Sequence, residues 1–590
     1  MGFERRALIA ICLVFMVLYV WQALFVKPAP KPGTAGVSAA ASKAGTAGTA
    51  AGVGAAASAA ASAVSSPATA PVISPGATAL VSETSERDVR VETSTVIAIF
   101  TNRGGRLKSW RLKRYADQND KPLELIATEL GPDTTLPFSL TTSDAAVTTT
   151  LNGALYAVKE AATDPAQSPS DITFEYRDSA GLHAVKEFHL EPKSYIFSFH
   201  DTVTIGDRSI VPSIQWGLGL GIGAAAINTR FDYGPRALLS AGGKEQRLPV
   251  ATLVKAPSYE DDFKFVGVDA HYFMSVAFQP GKVKVAYQTL TIPPLAGSKE
   301  AARDLVGYAV DPGPRNLPIK FYVGPKDFND LGAIDRDFSR AVDFGIWSFI
   351  VVPLLTSLKW IFGYVHNYGW SIVLLTAIIN IIIFPLRHKG VVAMRKMQEI
   401  QPETKAIQDR YSKLKATDPA KQKMNAEIME LYKQRNVNPA SGCIPMILPM
   451  PLLFAFYSLL TTSIELRGAP FALWIHNLSS PDPYYVFPVL MGISQLWQQW
   501  IMPAAGVDPT QRKMMMITPA IFVFLFISYP SGMAVYFLVT NVWAIGQQYF
   551  TNYLIGPPNI RNVVGSAAER RAKRVGAGKT EAAAKEKETT

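Results

Sequence analysis

The residues of this chain that could do chemistry are polar groups standing inside long apolar runs. Thr376 and Asn380 sit one helical turn apart in VLLTAIINIIIFPL (373–386). Gln495, Gln498 and Gln499 share a face of LMGISQLWQQW (490–500), and Asn541, Gln547 and Gln548 fall in the last such run. Spacings of three and four residues put such groups on one side of a helix. They are hydroxyls and amides, and hydrocarbon offers them no partners, so each one left unsatisfied there is costly. Pro445, Pro449 and Pro451 interrupt the backbone ladder of a further run at the same depth. Taken singly, each amide fits interhelical glue worth about 0.6–2 kcal/mol. Taken together, polar groups supplied at one level by several runs point to a water-filled cavity open to one side of a membrane.

Other chemistries have no footing. The chain contains no GxxxxGK[ST], no GxGxxG after a strand, no GxSxG and no HExxH. Its two cysteines, Cys12 and Cys443, lie at or inside apolar runs, which excludes a disulfide framework or a structural zinc site by count. The expectation is a protein that is not an enzyme and holds no cofactor or metal.

The elements that must position these groups follow from composition. At 590 residues, 48% apolar and with a mean hydropathy of +0.13, the chain is several domains long and too apolar for one soluble globule. A net charge of +11 on such a chain favours anionic lipid or RNA on one side of a membrane over the reading of DNA. Residues 7–26 are apolar but for Gln22 and follow Arg5 and Arg6, as a transmembrane anchor entering from the cytoplasm does. Residues 27–80 are Ala, Gly, Ser, Thr and Pro with almost nothing to bury, a flexible linker. From 81 to 335 the pattern is period-two, as in ITFEY (172–176), HAVKEFHL (183–190) and KVKVAYQTLTI (282–292). That predicts a large antiparallel β-sandwich outside the cytoplasm, either a docking platform or a carbohydrate-binding, mutarotase-like module.

Spans are predicted at 369–388, 443–463, 484–502, 514–529 and 532–550. Residues 344–366 are apolar enough to cross as well, but parity argues otherwise. Twelve Lys and Arg lie between 387 and 440 and only Arg467 between 464 and 483, which places 387–440 in the cytoplasm. One more crossing would send that basic loop outside. The segment 336–367, with Pro353, Lys359 and the flanking Trp347 and Trp360, is therefore expected to lie in the outer interface. Both termini end inside, and the basic tail 553–590 agrees. Within 389–437, two charged helix-favouring stretches around Thr417-Asp418-Pro419 predict an antiparallel hairpin. Its basic face, carrying Arg395, Lys396, Lys405, Arg410 and Lys413, is either solvated or a docking surface for a ribosome or targeting machinery.

At this point the residues carry a resemblance. YGWSIVLLTAII with the FPL after it (368–386), LYKQRNVNPASGCIPMILPMPLLFAFY (431–457), ELRGAPFALWIHNLSSPDPYYVFPVLMG (465–492) and YPSGMAVYFLVTN (529–541) resemble the YidC family of membrane protein insertases of Gram-negative bacteria. The mitochondrial oxidase-assembly and chloroplast albino insertases belong with it. The resemblance implies six spans, a five-helix insertase core at 368–552 and a large all-β periplasmic sandwich. It implies insertion and folding of nascent inner-membrane proteins without nucleotide hydrolysis, alone or with the Sec translocon, and no specific nucleic acid. The implied site is a hydrophilic groove open to cytoplasm and lipid, made by Thr376, Asn380, Gln495, Gln498, Gln499, Tyr536, Phe537 and Asn541, with the apolar part of a substrate leaving between 369–388 and 532–550. Two positions depart from the family. Asn380 stands where an arginine is usual, so Arg387 and His388 become the candidate sources of positive field, and Phe537 stands where a tyrosine is frequent, leaving the hydroxyl to Tyr536. A small-solute transporter and a periplasmic carbohydrate sensor are the alternatives.

Overall fold

The computed structural model describes residues 78–117, 119–128, 134–160, 170–218, 220, 233–292, 303–314, 316–411, 420–437, 449–501 and 509–556. The anchor 7–26, nearly all of the linker, Lys413, Cys443, Pro445 and residues 557–590 of the basic tail lie outside the described residues.

Period-two segments become strands where the alternation said they would. ITFEY lies in Ser170–Asp178, HAVKEFHL in Leu182–Leu190 and KVKVAYQTLTI at the end of Phe273–Ile292. The main sheet has 14 strands among the described residues. Its central path runs from Ala79–Val81 through 170–178, 182–190, Ile196–Ile205, Ile319–Pro325, 273–292, Ser258–Asp269 and Arg236–Ala241 to Lys244–Leu248. A second sheet of four strands spans Asp88–Glu92 to Pro122–Glu124. The pairings in both are antiparallel, with hairpin-length connections that fit a β domain read from short, turn-bounded runs. Among the described residues three helices decorate it: α1 (Ala145–Gly153), α2 (Val250–Leu253) and α3 (Phe328–Ile334).

The core of the domain is aromatic. Phe138 meets Phe188 and Phe321 edge-on, each at 5.1 Å, the geometry that ring quadrupoles favour. Trp110 of the smaller sheet donates its indole N–H to the carbonyl of Val323 at 3.0 Å and so ties the two sheets together. Several inward positions break the apolar rule, among them Lys186, Asp201, Asp269 and Lys326. Lys186 is fully buried, its ammonium donating to the carbonyls of Gly104 (2.6 Å) and Phe138 (2.7 Å). Burial pushes the Lys186 ammonium down to about 7 and, on its cross-strand partner Asp201, pushes the carboxyl up to about 7.

The remainder is helical: α4 (Ser348–Val365), α5 (Tyr368–Glu399), α6 (Gln401–Arg410), α7 (Ala420–Gln434), α8 (Pro449–Thr462), α9 (Val486–Ile501), α10 (Pro509–Phe526) and α11 (Ser531–Ile555). Two stretches, Gly345–Val365 and Tyr368–Glu399, are long and apolar enough to cross a membrane among the described residues, and Met450–Thr462 and Met516–Phe526 are shorter apolar helices. The segment expected to lie in the interface thus passes the length and composition test, while several expected spans do not. Helix α5 runs well past the expected end at 388, carrying Pro385 within it. Helix α10 starts before the expected 514 and ends at Phe526. Exposed apolar side chains such as Ile381, Ile382, Ile493, Trp500, Phe524 and Val542 cover outward faces of α5, α9, α10 and α11. Apolar surface on this scale asks for a lipid solvent.

The hairpin, within Glu399–Asn438, belongs to a different compact unit from the β domain and the other described helices. Helices α6 and α7 run antiparallel, with Arg435 reaching Glu403 at 2.6 Å at one end and Arg410 and Tyr411 both reaching Glu427 at the other.

Candidate functional site: a cavity between helices α5 and α11

Helix α5 brings Thr376 and Asn380 to a buried face, as their spacing predicts. The Thr376 hydroxyl donates to the carbonyl of Ile372 at 2.7 Å. The Asn380 amide donates to the carbonyl of Thr376 at 2.7 Å and accepts, through Oδ1, from Arg387 Nη1 at 2.8 Å. On α11, Asn541 donates to Ser494 Oγ (3.1 Å) and to the Met491 carbonyl (3.3 Å) of α9. For Asn541 the interhelical reading therefore describes the contacts. Tyr536 is buried and stacked on Phe456 of α8 at 4.3 Å, and Phe537 packs edge-on against Phe526 of α10 at 4.9 Å.

The glutamines behave differently. Gln495 Oε1 and Gln499 Oε1 on α9, and both amide atoms of Gln547 on α11, are buried with no hydrogen-bond partner among the described residues. Such atoms are rare in folded proteins unless water or a ligand meets them. Gln498 is half-buried on α9. Gln548 instead donates to Asn552 at 3.1 Å.

Beside Gln547 lies a cavity of about 660 Å³ between α5 and α11. Val373 and Phe384 line it from α5, and Leu538, Val542, Trp543 and Phe550 from α11. Trp543 Nε1 also lacks a partner among the described residues. Towards their C-terminal ends the two helices meet, where Phe384 lies 5.9 Å from Phe550 and the His388 ring hydrogen-bonds the Thr551 hydroxyl at 3.3 Å. The cavity is thus a lateral gap between two helices that touch at one end. At the opposite end of α11 the chain is tied down, since Ser531 N–H donates to the Ser480 carbonyl (2.8 Å) and Gly532 N–H to the Leu478 carbonyl (3.0 Å).

Among the cations singled out in the sequence, Arg395 is buried. Its guanidinium donates to the carbonyl of Gly556 and, at 2.7 Å, to Asn552 Oδ1. Both acceptors lie at the C-terminal end of α11, where carbonyls lack intrahelical partners. This overturns the expectation that Arg395 offers a free basic surface: it closes a helix end. Lys396 and Lys405 are not buried, and Arg410 is paired with Glu427. Sequence reasoning missed Trp543, and it noticed Arg387 without its partner. Only the seven-residue spacing of Arg387 from Asn380 could have suggested their contact.

Comparison with known proteins agrees with this architecture. Residues 88–357 match the family model of the YidC periplasmic domain, and residues 360–556 match that of the 60Kd inner membrane protein. The membrane protein insertase YidC of Geobacter metallireducens is 32% identical over 559 residues, covering 93% of this chain and 98% of that protein. The counterpart from Syntrophus aciditrophicus is 32% identical over 489 residues, covering 79% and 85%. A solved active YidC insertase with its first transmembrane domain resolved is 17% identical, with a TM-score of 0.33 over 80% of this chain and 94% of that one. Neither family model is one of solute transporters or carbohydrate sensors. A β-rich periplasmic domain followed by a helical region, matched over nearly the whole length of such relatives, makes this chain a member of the YidC family of membrane protein insertases.

Proposed function

We propose that the protein inserts other proteins into the inner membrane, the activity its relatives' names state, and that it folds them there without nucleotide hydrolysis. The observation that carries this reading is a set of buried amide atoms with no partner among the described residues, Oε1 of Gln495 and Gln499 on α9 and both amide atoms of Gln547, together with a lateral apolar gap between α5 and α11 that Gln547 lines. Water or a polar peptide segment satisfies the amides, and the apolar walls suit a hydrophobic segment moving sideways into lipid. A charged residue costs about 2.5–3.5 kcal/mol at a helix centre on insertion scales. Partial hydration at the level of the amides therefore has only a few kcal/mol to supply, and burial of the substrate's apolar surface drives the process.

In this reading the chain crosses the membrane six times, at 7–26 and through α5, α8, α9, α10 and α11. Helix α4 lies flat in the outer interface and both termini are cytoplasmic. The distribution of Lys and Arg supports that orientation. So does Lys359 of α4, held by Asp327 at 3.0 Å and Glu465 at 2.6 Å, which fixes α4 against the β domain. Recruitment of ribosomes and targeting machinery falls to the hairpin through Lys396, Lys405, Arg410 and Lys413, with the basic tail, and the β domain is the surface for Sec components.

The test is accessibility. With Cys12 and Cys443 replaced by Ser, single cysteines at 495, 499 and 547 are treated with a membrane-impermeant maleimide added from the cytoplasmic side. Labelling of all three is expected. A dry interior that reacts only with a membrane-permeant reagent overturns the groove.

A further inference from the structure

We infer that the groove holds the polar segment of its substrate by the backbone, as an extended strand whose peptide groups bond the amides of Gln495, Gln499 and Gln547; the inference rests on the insertase reading above. In that reading α9 and α11 both run inward, and the bond from Asn541 to Ser494 fixes the faces on which they meet. At about 100° per residue, Gln495 and Gln499 stand about 100–140° round α9 from Ser494. Gln547 stands about 120° round α11 from Asn541 in the opposite sense. For parallel helices, opposite rotations away from the contact lead to the same side of the pair. The three glutamines therefore border one side of α9 and α11. There Gln495 Oε1, Gln499 Oε1 and both amide atoms of Gln547 are buried with no hydrogen-bond partner among the described residues.

A primary amide carries the same neutral donor and acceptor as a peptide group, so the partner these atoms match is another amide. Gln495 and Gln499 are four residues apart, which steps their acceptors along α9 by about 6 Å. In an extended chain the N–H groups on one edge recur every second residue, about 6.7 Å apart. The two repeats are close enough for one strand to donate an N–H to each glutamine. Gln547, with donor and acceptor both open, answers a C=O and an N–H of the same chain. A helical segment pairs its own N–H and C=O groups and leaves the glutamines unanswered. An uncoiled polar segment has the opposite need, because each of its backbone groups carried into hydrocarbon without a partner is costly. Peptide groups are alike in every sequence, so this contact does not depend on which side chains the segment carries.

The experiment uses the full-length protein in proteoliposomes and synthetic single-span peptides that share one polar tail in three forms: unmodified, N-methylated at alternate residues, and locked as a helix by a side-chain cross-link. N-methylation removes donors and makes the tail less polar, so in protein-free vesicles the methylated tail should cross at least as fast as the unmodified one. With the protein it should insert about ten-fold more slowly, the loss of two neutral hydrogen bonds, and the locked tail more slowly still. Exchanging Ser for Asn throughout the unmodified tail should change its rate less than about two-fold. The double variant Q495L/Q499L should bring the unmodified tail down to the methylated rate, with its melting temperature as the check on folding. Methylated or helix-locked tails that insert with the unaltered protein as fast as the unmodified tail overturn the inference. So does a folded double variant that still distinguishes the tails. If the unaltered protein inserts none of them faster than protein-free vesicles do, the insertase reading itself falls, a result distinct from insertion that ignores the backbone.

Discussion

His271 Nε2, in the turn between two strands of the β domain, donates a 2.6 Å hydrogen bond to the carbonyl of Thr461 in the last turn of helix α8. That carbonyl is one of the four at a helix end with no intrahelical donor. The β domain therefore caps a helix of the core directly. Trp347, just before α4, stacks on Phe454 of α8 at 5.7 Å, and Ser458 of α8 donates to the Phe344 carbonyl at 3.0 Å.

His271→Ala should lower stability by about 1–3 kcal/mol, because a buried carbonyl loses its donor. The wild type should also show a pH signature. Burial pushes the His271 imidazole down from its ordinary 6.5 to about 4. Between those values the unfolded chain takes up a proton that the folded protein refuses. The contribution is thus fully present above about pH 6.5 and lost as pH falls toward 4. Urea midpoints at pH 7 and pH 5 in detergent check this: the alanine variant should lose part of the wild-type slope, and identical slopes would refute the assignment.

Lys359→Met should be among the more damaging changes on α4. The ammonium stands between Asp327, which also caps α3, and the largely buried Glu465. Breaking a buried pair by removing one partner costs about 3–5 kcal/mol, since the remaining charge is uncompensated. Limited proteolysis should then cut between the β domain and α4 faster. Adding Glu465→Gln should recover part of the loss, and a double variant as weak as the single one would exclude a charge mechanism.

Gly492 lets α9 and α10 approach closely: a Cβ built there would stand 2.2 Å from Val523 Cγ2. Gly492→Ala should destabilise by about 1–3 kcal/mol through overpacking. Val523→Ala in the same chain should relieve it, so the two changes should be non-additive in a thermal double-mutant cycle. Strict additivity would mean the contact is absent.

Gln499→Leu and Gln547→Leu should separate stability from activity. Gln499 Oε1 and both amide atoms of Gln547 are buried with no partner among the described residues, so an apolar group of similar size removes a desolvation cost. Melting temperature is expected to hold or rise while insertion falls. A variant that loses both would show that these amides serve packing alone.

Much of this architecture was legible in advance, and unevenly so. Alternation in HAVKEFHL predicted a strand with one face inward, and 182–190 buries Leu182, Ala184, Phe188 and Leu190 as it should. The same pattern put Lys186 inside without saying how a lysine is tolerated there. The answer lies in carbonyls 48 and 82 residues away in sequence. The polar residues of the apolar runs were likewise visible as a set, but one pattern covered two fates. Asn541 is bonded to a neighbouring helix, whereas Gln547, six positions on, is not. The basic residues divided in the same way, with Arg395 closing the end of α11 and Arg410 paired across the hairpin.

Residue order by itself determined the β-rich domain, the apolar runs, the hairpin, the faces on which polar groups fall and the scarcity of carboxylates in the core helices, where Glu399 at the end of α5 stands alone. Those properties depend on composition and on periods of two and 3.6, which are local. Only the tertiary structure decided which polar groups are partnered, that Arg387 turns inward to Asn380, and that a lateral gap opens between α5 and α11. Each of these depends on distances between elements far apart in the chain, or on the direction a long side chain takes, and helical period carries neither quantity.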